Sequence, residues 1–217
     1  MNKNEKDNII KRYNARFQRY GYSPKTLGWD KKRHNIRFHI LTSQWNLSGC
    51  SILDFGCGFG DMFGYLKKKG MDCKYYGVDI NKSLIEQGKI VYPGANLETV
   101  DLFNNHNDLT FDYIFSSGVH NLHLGNNMGF IKDSFNLFNL VSTKGFAINF
   151  LSNKVEYELE NTYHANPSKI LEIAYHYSNR IVLRNDYMPF EFTVFVDKGN
   201  TFDKSHSVYP DFLEHLE

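Results

Sequence analysis

Apolar residues along this chain recur with two different spacings, and the two alternate. Short stretches at 51–55, 72–79, 96–100, 111–117, 145–151, 181–184 and 190–196 are bounded by glycine, proline, asparagine or aspartate and read as strands. The run at 145–151 is apolar almost without interruption, as a strand buried on both faces is. Between these stretches apolar residues return every three or four positions: Phe59, Met62, Phe63 and Leu66, then Ile131, Ser134, Phe135 and Phe138, then Ile170, Ile173, Ala174 and Tyr177. That spacing stacks side chains on one face of a helix. Asn81 is placed to cap a helix running to about Val91, and Pro167 to open another. The last two strands are linked only by residues 185–189, too few for a crossover helix, so they form an antiparallel hairpin.

Ahead of the first strand, Ile9, Ile10, Tyr13, Phe17 and Tyr20 predict an amphipathic helix over 4–20, with Lys11, Arg12, Arg16 and Arg19 elsewhere on the wheel. Gly21-Tyr22-Ser23-Pro24 breaks it. A second helix is predicted over 29–45, entered from Gly28 and Trp29 with Asp30 as its candidate cap. The polar residues 198–217 read as a tail ending in a short helix.

Composition narrows the picture in three ways. With 217 residues the chain suits one α/β domain rather than two. Lys and Arg number 25 against 24 acids, so no global field recruits nucleic acid or an anionic membrane; a local strip, Lys11 to Arg19 with Lys31, Lys32 and Arg33, remains the only candidate surface for RNA. Cys50, Cys57 and Cys73 contain no C-x-x-C pair, which argues against a zinc site and a disulfide framework and fits a reducing compartment. No apolar stretch approaches the length of a membrane span and no signal peptide is evident, so the expected location is cytoplasmic. Aromatic residues make up 16% of the chain, more than a core of this size usually takes, and some are expected to line a pocket.

The chemistry concentrates at the carboxyl ends of the strands. Asp54-Phe55-Gly56-Cys57-Gly58-Phe59-Gly60 turns from the first strand into a helix, and glycines there let a ligand approach backbone N–H groups at the helix start. A dinucleotide fingerprint would need glycine at position 61, where Asp61 stands. The second strand ends in Asp79, a carboxylate placed to take two ribose hydroxyls, and the third in Asp101. One glycine turn followed by acid-tipped strands implies an adenosine-type ligand.

The residues Asp54 to Gly60, Asp79, Asp101 and 111–121 resemble the class I S-adenosylmethionine (SAM)-dependent methyltransferases, and the likeness extends from about Ser51 to Val196. The flanks at 21–38 and 184–196 resemble a less characterised bacterial and archaeal branch of that superfamily. The resemblance implies an α/β, Rossmann-like three-layer sandwich with a seven-stranded, mostly parallel sheet, an antiparallel seventh strand and two extra N-terminal helices. It implies a helical cap over residues 1–47 contributing to the site, a core over 48–198 that forms one compact domain with the cap, and a tail over 199–217. SAM is the implied cofactor, converted to S-adenosylhomocysteine (SAH), with Asp54, Gly56, Cys57, Gly58, Gly60, Asp79, Ile80, Asp101, Leu102 and Ser117 around it and no metal.

Arg33 and Arg37, one helical turn apart, are candidates to clamp a carboxylate of the cofactor or of an acidic substrate; the alternative is a surface pair bonded to water or glutamate. His120, after the fourth strand, is the candidate base for a hydroxyl acceptor, the alternative being a structural histidine. Tyr22, Trp29, Asn121, Asn149, Tyr187 and Glu191 are candidates to shape the acceptor pocket, although Asn149, inside a buried strand, would equally pair with backbone. The segment 152–166, with Tyr157, Tyr163 and His164, is long and aromatic enough for a lid. Residues 117–121 hold no Asn/Asp-Pro-Pro-Tyr, no Pro-Cys and no Asp-His, which sets aside methylators of base amines, of cytosine carbon and of metal-bound catechols. The expected activity is methyl transfer to a small polar acceptor, at a hydroxyl oxygen, without metal. RNA or protein methylation and non-catalytic SAM binding stand as alternatives; NAD-dependent oxidation is the weakest.

Overall fold

A computed structural model describes residues 1–28, 33–106, 109–199 and 201–216. Two helices, α1 (Lys3–Tyr20) and α2 (His34–Ser43), precede β1 (Ser51–Phe55), α3 (Asp61–Lys68), β2 (Lys74–Asp79), α4 (Lys82–Val91), β3 (Asn96–Thr99) and β4 (Phe111–Ser116). Then follow α5 (Asn127–Val141), β5 (Ser142–Leu151), α6 (Pro167–Ala174), β6 (Arg180–Arg184) and β7 (Glu191–Asp197), with short 3-10 turns at Val119–Asn121 and Pro210–His215.

The strands form one seven-stranded sheet in the order β3-β2-β1-β4-β5-β7-β6. β7 runs antiparallel to both β5 and β6, and the pairings among β1 to β5 are parallel. Alternate residues of each strand point to opposite faces, so Leu53, Ile114, Phe146 and Ile148 pack with Phe135, Phe138 and Ile170 of α5 and α6. Ile52, Phe115 and Phe195 pack on the other face with Leu41, Met62, Leu66 and Ile85 of α2, α3 and α4. The result is the expected three-layer sandwich with its antiparallel last strand. No helix among the described residues is long and apolar enough to cross a membrane.

Local signals explain most helix starts. The Asn81 side chain accepts from Leu84 N at 3.2 Å, and Asn166 caps α6 ahead of Pro167 by accepting from Ser168 N at 3.0 Å. Asn2 and Glu5 bond reciprocally at the start of α1, at 2.9 and 2.8 Å. The second helix is described over His34–Ser43, ending before the predicted Trp45, and its predicted start at 29–32 lies outside the described residues. Trp29 and Asp30, expected in the pocket and as a cap, lie outside the described residues.

Where the order reverses, β1 sits between β2 and β4 while their connections depart in opposite directions. Such a switch point opens a crevice at the carboxyl ends of the strands.

Candidate functional site

That crevice is a cavity of about 620 Å3. Its floor is the β1–α3 turn. Gly56 and Gly58 have φ of +73° and +57°, where side chains are strained, and a Cβ on Gly56 would fall 2.2 Å from Val119 Cγ2, another lining residue. The turn is held by Gly56 N and Cys57 N donating to Val78 O at 2.8 and 3.0 Å.

Two carboxylates face the cavity beside this turn. Asp79 accepts from Gly58 N on one oxygen at 3.0 Å and from Asn81 N on the other at 2.8 Å. Burial nonetheless raises its pKa, against the lowering effect of those backbone donors. Asp54 is 3% exposed and accepts from Tyr75 Oη at 2.7 Å. Burial pushes its carboxyl up to about 7, more than the tyrosine bond recovers. Ile80, Leu102, Phe103 and Ser117 complete this half of the wall. Asp101 also lines it, but its oxygens already accept from Phe103 N at 3.2 Å and Asn104 Nδ2 at 2.8 Å, and pair with Lys6 Nζ.

Helix α1 roofs the cavity. It has no buried residue, yet Ile9, Arg12, Tyr13 and Arg16 line the space beneath it. Polar ties hold it down: Lys6 to Asp101, Glu5 Oε1 accepting from Gly125 N at 2.8 Å, and Asn81 Nδ2 donating to Asn14 Oδ1 at 3.0 Å. Arg16 donates to the Thr26 and Lys25 carbonyls, and Phe17 packs on Phe59 with ring centroids 5.6 Å apart. The amphipathic face was legible from periodicity, whereas the expectation that this helix contributes to the site came from the family resemblance, because periodicity names a face and never its neighbour.

The far half is built by α2, the start of β7 and the segment after β5. Arg37 is 4% exposed and bonds Glu191 bidentately, Nε donating at 2.5 Å. Asn149 Nδ2 donates to Glu191 Oε2 at 3.0 Å and to Tyr187 Oη at 2.9 Å, and Tyr187 in turn meets Thr193 Oγ1 at 2.8 Å. Arg37 and Glu191 line the cavity, whereas Asn149 and Tyr187 stand behind them as their support. The expected clamp of two arginines is thus reduced to one: Arg37 is committed to Glu191, while Arg33 lies 5.5 Å over the Phe190 ring and has no carboxylate partner among the described residues.

Three other expectations are corrected. His120 is 1% exposed, wedged between Phe130 and Phe150, with Nε2 at 3.0 Å from Ser134 Oγ and Nδ1 unpartnered. Burial drives its pKa down to about 3, and it does not reach the cavity, so it is a structural ring rather than a base. Tyr22 lies outside the cavity too, bonding Asp61 Oδ1 at 2.8 Å and Tyr92 Oη at 2.9 Å. Gly60 is turned away onto Leu97. Asn121 does line the cavity; its Oδ1 accepts from Leu151 N at 3.1 Å. Lining residues that the sequence reading did not propose for the site include Asp61, His34, Thr162 and Phe190, which arrive from four separate segments.

A family model described as a methyltransferase domain matches residues 46–193. Rv1506c of Mycobacterium tuberculosis, provisionally named a methyltransferase, is 27% identical over 158 residues, covering 69% of this chain and 94% of its own. Among solved structures, magnesium protoporphyrin IX methyltransferase from Synechocystis PCC 6803 with bound SAM superposes with a TM-score of 0.63 at 15% identity, covering 89% of this chain and 96% of that one. A TehB-like SAM-dependent methyltransferase from Corynebacterium glutamicum gives 0.51 at 24% identity, covering 90% and 98%. These likenesses concern the fold.

Proposed function

The chain belongs to the methyltransferase-domain family and is a SAM-dependent methyltransferase, and we propose that it methylates the hydroxyl oxygen of a small polar molecule held in this cavity. The residues facing the cavity fit the cofactor. Asp79 carries the reading: it lines the cavity at the end of β2, its two oxygens held in place by the backbone N–H groups of Gly58 and Asn81, and a carboxylate so fixed can accept from two neighbouring ribose hydroxyls. Asp54 adds to it, since a buried carboxylate that resists ionisation is relieved by a nearby cation such as the cofactor's ammonium. Glycines at 56 and 58 leave backbone rather than side chains against the ligand.

When bound, the cofactor supplies a methyl group already activated for displacement by its sulfonium. The chain's own residues position the acceptor and exclude water, and such positioning is worth several kcal/mol of barrier, about 7 or more in favourable cases. Leu122, Leu124, Leu151, Tyr157 and Phe190 make the acceptor half apolar, with Asn121 and Arg33 as polar anchors. Arg33 would hold a carboxylate of the cofactor or of the acceptor. The RNA reading loses part of its basic strip, because Arg16 is turned onto backbone carbonyls.

Calorimetry with SAM tests the cofactor half. Two hydrogen bonds to an ionised carboxylate, each worth about 1.5–3 kcal/mol, predict at least about a hundredfold weaker binding in Asp79→Ala; equal affinity in the two proteins defeats the assignment. Incubation with methyl-labelled SAM and panels of alcohols, amines and carboxylates tests the acceptor: label only on amines or carboxylates defeats the hydroxyl reading.

A further inference from the structure

The segment leaving β5 returns across the cavity as extended chain. Ser152 bridges Ala165, Leu122 bridges Thr162, and Tyr163 N donates to Asn121 O at 3.0 Å. Because successive side chains of extended backbone point to opposite sides, Tyr163 packs on the core below while Thr162 and His164 line the cavity.

His164 Nδ1 lies 2.8 Å from the Ser152 carbonyl oxygen, which only accepts, so Nδ1 carries the hydrogen and Nε2 the lone pair. Nε2 lies 3.1 Å from Thr162 Oγ1, and that hydroxyl is also 2.8 Å from the Leu159 carbonyl oxygen. The single hydroxyl proton therefore has two places to go. With the ring neutral, it points at Nε2. With the ring protonated, Nε2–H donates to Oγ1 and the hydroxyl rotates onto Leu159. All hydrogen-bonding groups are paired in both states, so the ring gains a proton without stranding a buried donor. His120 has no such arrangement, since its Nδ1 has no partner.

We infer that Thr162 and His164 form a proton relay for the acceptor, an inference that rests on the hydroxyl reading above. As the acceptor oxygen forms its bond to the methyl carbon, the carbon–sulfur bond breaks with its electron pair left on sulfur. The acceptor's proton passes to Thr162 Oγ1, and the proton Thr162 held passes to His164 Nε2. A methyl ether, SAH and an imidazolium result; the imidazolium returns its proton to solvent as the products leave. Thr162 touches the acceptor, and His164 acts through it.

Imidazole 15N spectra of the full histidine-labelled chain with SAH test the arrangement without any acceptor. The His164 signals, identified by their loss in His164→Asn, are expected to show a protonated Nδ1 and a bare Nε2. Thr162→Val should shift the Nε2 resonance and Thr162→Ser should restore it. A neutral ring with its hydrogen on Nε2 rather than Nδ1, or an Nε2 signal that Thr162→Val leaves in place, overturns the relay. A rise in melting temperature on adding SAM, kept in each variant, shows that the variants fold. The kinetic counterpart uses hydroxyl compounds the wild-type chain methylates, from aliphatic alcohols to 4-nitrophenol. His164→Asn should lower kcat about 10²–10⁴-fold for the least acidic hydroxyls with KM little changed, and far less for 4-nitrophenol, which arrives largely ionised. An equal loss along the series, or none, overturns the relay. Methylation of amines or carboxylates alone defeats the hydroxyl reading itself, and is told apart by spectra that still show the Nδ1–H ring bonded to Thr162.

Discussion

Asp54 and His120 are both buried titratable groups, and burial moves them in opposite senses with opposite consequences for stability. The folded chain raises Asp54 from 3.8 to about 7, so its protonated form is favoured by folding. That contribution is complete below the unfolded pKa and lost as pH rises through about 7. Thermal melts of the SAM-free protein, taken relative to Asp54→Asn, are therefore expected to fall between about pH 4 and 7 and to level off above that. SAM, which brings a cation, should bind more tightly over the same rise; a flat affinity would detach Asp54 from the cofactor. His120 is held neutral, its pKa lowered from 6.5 to about 3, so its contribution is present above the unfolded value and lost as pH falls below it. His120→Phe should remove part of the acid sensitivity and leave SAM affinity unchanged, as measured by acid melts and calorimetry. At this scale Asp79 was legible because a strand end followed by an acid is a local pattern. Thr162 and His164 were not, because what brings their segment over the cavity is its bridges to Leu122 and Ser152, which no spacing encodes.

Helix α1 and the α2–β7 contact are the elements that close the site, and they are held by different means. α1 buries no residue and is fixed by exposed or half-exposed polar contacts, which places it at the low end of local stability. Hydrogen exchange should find its amides among the faster-exchanging helical ones, and SAM should slow them more than those of β4 or β5. Arg37 and Glu191, exposed by 4% and 1%, join α2 to the first residue of β7. Removing one partner strands a buried charge and is expected to cost about 3–5 kcal/mol in Arg37→Met or Glu191→Met, while the double variant costs clearly less than the sum. Denaturant unfolding of the three variants measures this.

The whole molecule follows from the alternation of strands and helices, so the sheet, its layers and its antiparallel last strand were legible throughout 51–196. The acceptor wall was less so, since it gathers Arg33, Thr162, His164 and Phe190 from three regions far apart in sequence. One cavity at the switch point also predicts a global response: SAM at a hundred times its dissociation constant should stabilise the chain by about 2.7 kcal/mol, raising Tm by about 5–10 °C, and Asp79→Ala should abolish most of that rise. The strand order carries a last consequence. β7 lies between β5 and β6 although it is the last strand in the chain, so during synthesis β5 waits with one edge bare until residue 197 has emerged. A nascent or prematurely stopped chain thus displays the apolar run at 145–151 as an open template for a neighbour. Ribosome-bound chains ending just before Glu191 should clump or recruit chaperones, and those extended past Asp197 should not.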